Sequence, residues 1–158
     1  MRSLHMLGRA VFGGFFIYNG LNHLMNPAQL GQYAAAKGVP SPDVAVQATG
    51  ALMLAGGVSV LTGLKPRQGL MAIVGFLLPV SLRMHRFWEE QDPAQRTIEL
   101  VNFTKNMALV GAALALMELR EPWPLSLDEA RNGRPFLPSD DEEMFIRLGE
   151  RELRALPA

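Results

Sequence analysis

Apolar residues in this chain come in long unbroken runs instead of alternating or keeping to one helical face. "GALMLAGGVSVLTGL" (50–64) and "QGLMAIVGFLLPVSL" (68–82) carry no charge on any side, whereas an amphipathic helix of a soluble protein shows a polar stripe. The runs are too long for strands and lack a two-residue period. A helix needs about 20 apolar residues to cross a hydrocarbon core, and the pattern predicts four such spans, at about 4–25, 44–64, 69–85 and 103–118. Two of them reach full length only if their polar ends enter the membrane or snorkel. The expected fold is therefore all-α. Residues 1–119 should form an integral membrane antiparallel four-helix bundle, and residues 120–158 a tail with a short C-terminal amphipathic helix at about 140–155.

The connections refine this picture. "NPAQLGQYAAAKGVPSPD" (26–43) has room for one short helix at about 28–37, closed by Gly38 and two prolines. "KPRQ" (65–68) is a tight turn that makes the second and third spans antiparallel neighbours. "RFWEEQDPAQRTIE" (86–99) is charged, with Trp88 suited to the membrane interface. Four spans put both termini on one side. That side holds Arg2, Arg9, Lys65, Arg67 and Arg120, against Lys37, Arg86 and Arg96 opposite, a bias toward cytoplasmic termini in the inner membrane. The first segment is too apolar for too long to be a cleaved signal, and it is read as retained.

In the tail, Ser139 and Glu142 have the spacing of a capping box. The helix they open puts Met144, Phe145 and Leu148 on one face. From 140 to 154 it carries six acids against three arginines, so anionic lipid would not attract it. Packing under the bundle or on a protein partner is expected. Net charge is zero, which excludes the basic footprint of a nucleic-acid binder. The absence of Cys removes disulfides, thiolate nucleophiles and Cys-bound metals together.

Antiparallel threading brings the polar residues of several spans to one membrane face. The first span supplies Asn19, Asn22 and His23, which share a helix face at i, i+3 and i+4. Arg83 and His85 end the third span. Lys105 and Asn106 begin the fourth, with Glu99 and Asn102 nearby. Ionisable groups at lipid depth usually face a bundle interior or a wet cavity, so Asn19, Asn22, His23, Arg83, His85, Lys105 and Asn106 are expected to line one pocket in the outer half. Pro79 would kink the third span beside it. A quinone is the cofactor that suits such a site, with the histidines donating to its carbonyls. Two histidines without a supporting motif do not argue for a metal or haem, and neither is expected. The same polar residues also suit a bland role, as interfacial anchors and interhelical hydrogen bonds. At the opposite face, Arg9 and Glu118 lie at similar depth and are expected to form a structural ion pair.

"LGRAVFGGFFIYNGLNHL" (7–24), "GVPSPDVAVQATGALMLAGGVSVLTGLKPRQG" (38–69), "MHRFWE" (84–89) and "NFTKNMALVGAALAL" (102–116) resemble, in that order, the DoxX family. The resemblance covers about 5–118 and implies a small four-helix bacterial membrane protein. Some relatives are similar to the membrane subunit of a thiosulfate:quinone oxidoreductase. Others are described in membrane oxidoreductase complexes of oxidative-stress defence. The positions that look family-like are Arg9, Gly20, His23, His85, Trp88, Lys105 and Asn106. The resemblance thus implies a membrane subunit or accessory of a quinone-linked redox system, with a soluble or membrane redox partner. The class-level alternative is a scaffold that docks a soluble partner through 120–158. Glycine-rich faces on the second and fourth spans would also permit a homo-oligomer. The lack of Cys counts against sulfur-relay chemistry, but quinone contact needs only hydrogen bonds and charge.

Overall fold

The structure, a computed structural model, describes residues 2–132. Most of these are helical, with no strand among them. The elements are α1 (Arg2–Met25), α2 (Pro27–Ala36), α3 (Pro42–Thr62), α4 (Pro66–Met84), α5 (Pro93–Met117) and α6 (Leu127–Arg131). The C-terminal amphipathic helix expected at 140–155 lies outside the described residues.

Prolines set the starts. Pro27, Pro42, Pro66 and Pro93 each occupy the first turn of a helix, where a missing N–H costs nothing. Asp92 caps α5 by accepting from the amides of Ala94 and Gln95, both at 3.3 Å. This cap starts the fourth long helix at 93, well before the apolar run expected to begin at 103. Gly63, in the left-handed region at φ 67°, ends α3. The turn into α4 therefore falls just before the expected 65–68.

Two helices, α3 and α5, are long and apolar enough to cross a membrane. Their surroundings differ from those of soluble core helices. Only 33% of the most apolar window of α3 and 11% of that of α5 is buried within the protein. The helices α1 and α4 have 24 and 19 residues, but Arg9, His5 and the amides of α1, with Arg67 and Arg83 of α4, dilute their apolar character.

Helix neighbours follow chain order: α1 packs on α3, α3 on α4 and α4 on α5. Glycines explain the closeness of the first pairs. A Cβ on Gly57 would lie 2.7 Å from the carbonyl oxygen of Gly13, and one on Gly20 would lie 2.8 Å from that of Gly50. The two contacts fit one antiparallel register. Packing of α5 on α1 is sparse by comparison, but Phe16 of α1 shares one core with Val110 and Ala113 of α5. The glycines that suggested self-association through the second span are used inside the chain, while Gly111 of α5 has open space beside it.

The main core runs through Phe16, Met53, Val60, Leu70, Ile73, Leu77, Val110, Ala113 and Trp123. Trp123 lies beyond the expected boundary at 119/120. Residues 120–131 thus fold against the body of the protein instead of leaving it. A second cluster, Ala34, Val46 and Met84, docks α2 on the ends of α3 and α4.

Candidate functional site

Where the C-terminal ends of α1 and α4 meet α2, α3 and α5 lies a cavity of about 480 Å³. Its walls are mostly apolar: Phe15, Phe16, Leu30, Val46, Met53 and Phe76 are among the lining residues. Of the seven polar residues expected there, Asn19, His23, Arg83, His85, Lys105 and Asn106 line it. Asn22 does not. It is exposed, and its side-chain oxygen accepts from the Asn26 amide at 2.8 Å. The i+3 position of α1 has rotated to the outer surface, while Asn19 and His23, one turn apart, keep the inner one.

The six lining residues differ in what holds them. His23 Nδ1 is 3.3 Å from the Thr49 hydroxyl. His85 Nδ1 is 2.8 Å from Oε2 of Glu99. The Asn19 amide donates to the Phe15 carbonyl at 2.7 Å. Arg83 donates to the Gly38 carbonyl, and Lys105 donates to Asn102 at 3.0 Å. Asn106 is 8% exposed, and its side-chain amide has no hydrogen-bond partner among the described residues. Its polar atoms are not among the fully buried unpartnered ones, which are His5 Nε2 and Trp123 Nε1 at the other end. The amide is free to meet whatever fills the cavity. Pro79 also lines the cavity from within α4. It cannot donate to the carbonyl one turn back.

The centre of the polar cluster is Glu99, which sequence reasoning placed nearby but did not include among the site residues. It is 1% exposed and receives three side chains. Lys37 Nζ lies 2.6 Å from Oε1, Gln95 donates to the same oxygen at 3.0 Å, and His85 takes Oε2. The hydrogen bond to Glu99 holds the Lys37 ammonium above the usual lysine range. A lone carboxylate in an otherwise uncharged stretch of helix, seven residues before Asn106, is the signal that marks Glu99 in the sequence. Nothing local to Lys37 marks it, because it reaches Glu99 only through the docking of α2.

The opposite end holds Arg9, 2% exposed. The ion pair expected with Glu118 is not formed, and Glu118 is exposed. The guanidinium instead donates to the carbonyls of Val60 at 3.1 Å, Leu61 at 2.7 Å and Pro124 at 2.9 Å. It also stands 5.7 Å from the centre of the Trp123 ring. Five donors in a planar fork suit the bare carbonyls at a helix end better than a single carboxylate would. The 118–131 segment is tied on further by Asp128, which accepts from the Lys65 amide at 2.7 Å, and by Glu121, which accepts from that of Arg67 at 3.1 Å.

The family model described as DoxX matches residues 4–86, just over half of the chain. The match takes in α1 to α4 and therefore Asn19, His23, Arg83 and His85, and it stops before Glu99, Lys105 and Asn106. No curated protein and no solved structure matches the chain.

Proposed function

The chain belongs to the DoxX family, and from that premise we propose that it is a multi-pass inner-membrane protein serving a quinone-linked redox system. In this reading α1, α3, α4 and α5 cross the lipid, both termini are cytoplasmic, and the cavity takes a lipid-soluble quinone. The observation that carries the reading is the cavity itself, with its mainly apolar walls, about 480 Å³ in volume, and its few convergent polar groups. That is the usual make-up and size of a small-molecule site. Exposed Leu7, Val11, Phe15, Tyr18, Ile98, Val101 and Leu114 on α1 and α5 support a lipid surround, since so much apolar surface is unusual in water.

The residues fit the group. Phe16, Met53 and Phe76 would flank a ring, and His23, His85 and the unpaired amide of Asn106 would meet its oxygens. A bound quinone supplies reversible electron and proton chemistry. The chain contributes orientation of the head and exclusion of water. The scaffold alternative, with a soluble partner docked on the tail, is confined to 133–158, because Trp123 and Ser126 are buried against the body. The test is extraction of lipids from the purified full-length protein. Quinone should co-purify near one equivalent and be lost from the His23→Ala, His85→Ala double variant. A preparation that carries none and binds none when quinone is added would remove the reading.

A further inference from the structure

The two histidines of the cavity are held in the same sense. An ionised carboxylate only accepts hydrogen bonds, and Lys37 at 2.6 Å keeps Glu99 ionised. The hydrogen between His85 and Glu99 therefore belongs to Nδ1 of His85. Thr49 has one hydroxyl hydrogen. The carbonyls of Ala45 at 2.8 Å and Val46 at 3.0 Å are nearer to it than His23 is. With the hydrogen on either of them, the Thr49 oxygen is placed to accept from Nδ1 of His23 at 3.3 Å. A neutral imidazole has one N–H. Both rings are thus left with a bare lone pair on Nε2, and neither Nε2 has a protein partner among the described residues.

The donors around the cavity are turned elsewhere. Arg83 points to the Gly38 carbonyl and Lys105 to Asn102. Asn19 commits one N–H to Phe15. Each of the three keeps further N–H groups, which the oxygen of a hydroxyl or of a carbonyl can meet equally. The atoms that can only accept are the two histidine Nε2 lone pairs.

We infer that the cavity selects a head group that donates hydrogen bonds, the hydroxyl form of its ligand (a quinol) over the carbonyl form (a quinone). This rests on the reading that the cavity holds a quinone-type molecule, and it reverses the sequence expectation that the histidines donate to carbonyls. A quinol hydroxyl satisfies Nε2. A carbonyl oxygen opposite Nε2 sets lone pair against lone pair and leaves both acceptors unpaired among apolar walls, where that is expensive. Glu99 is the positioning residue, since it fixes which nitrogen of His85 carries the hydrogen.

The experiment measures binding of a decyl-substituted benzoquinol and the matching benzoquinone to the full-length protein in lipid nanodiscs. It is done without oxygen near pH 8, above the ordinary imidazole range. The quinol should bind at least about tenfold tighter, the discrimination expected when a site built for a hydroxyl meets an analogue without one. In Glu99→Gln the new amide can donate to His85 Nδ1 and move the hydrogen to Nε2. The quinol preference should then vanish or invert, and Glu99→Asp should restore it. A purely structural role for Glu99 would weaken both ligands alike. Nitrogen-15 shifts of the His85 ring report the tautomer directly and decide the matter even if Glu99→Gln fails to fold: hydrogen on Nδ1 in the native protein supports the inference, and hydrogen on Nε2 overturns it. Equal affinities, or tighter quinone binding, overturn it while leaving the cavity reading intact. Binding of neither form removes the cavity reading and the inference with it.

Discussion

The two ends of this protein bury polar groups in opposite ways. At the Arg9 end the guanidinium is enclosed and turned onto backbone carbonyls of α3 and of the 118–131 segment. At the cavity end His23, His85 and Asn106 each keep polar capacity that no described residue uses. The guanidinium is sealed inside, although the buried His5 Nε2 and Trp123 Nε1 beside it have no partner among the described residues. The cavity end keeps its spare capacity beside an open space of about 480 Å³. The same element types build both, so burial of a charged or polar side chain in a helical membrane domain does not by itself point to function. What separates the cases is whether the spare polar capacity borders a cavity that a guest can enter.

Substitutions can break this contrast. The largest effect should come from Trp123→Ala, which removes a ring that is 1% exposed in the main core. A loss of about 3–5 kcal/mol is expected, read as a fall in thermal midpoint with selective deuterium uptake over 118–131. Arg9→Gln should follow at about 2–4 kcal/mol, because several carbonyls lose a charged donor at once. Ligand affinity at the far end should be unchanged in folded Arg9→Gln protein, and a parallel loss there would show that the two ends are not independent. Lys37→Met takes the cation from a carboxylate that is 1% exposed and leaves it only Gln95 and His85. A loss of about 1–3 kcal/mol is expected, seen as faster exchange of the α2 amides. Asn106→Leu should invert the pattern. Stability should move by no more than about 1 kcal/mol, since an unsatisfied amide is replaced by an apolar group of similar size, while binding of a quinone-type ligand drops. If stability collapses instead, the Asn106 amide is structural after all.

The contrast also explains what the sequence could reveal. Uncharged runs identified the four long helices, and one-turn spacing brought Asn19 and His23 to a common wall. The apolar runs marked lipid-like stretches and not helix ends, so α5 was read as starting ten residues late. Its start is set by Asp92 and Pro93, a local signal that hydropathy passes over. Arg9 was matched to Glu118 by depth alone. Depth carries no information about the loop that returns carbonyls from residues 124 and 125 to the same point. Lys37 was missed for a related reason, since its partner is 62 residues away and is reached only once α2 folds back on α3. Asn22 was included because spacing defines a face to within a broad arc, and the true wall proved narrower.

The glycine register between α1 and α3 has a mechanical consequence. With backbones meeting at Gly13 and Gly57 and again at Gly20 and Gly50, those two helices form a stiff plank that cannot slide without driving side chains into the glycine sites, nor spread without losing its close packing. The pair α4 and α5 has no such lock, and α5 has no neighbour on its far side comparable to the one that α1 has in α3. Any swelling of the cavity to take a wider guest must therefore be absorbed by α5. The wall carrying Glu99, Lys105 and Asn106 is the compliant one, and the wall carrying Asn19 and His23 is the ruler against which the guest is measured.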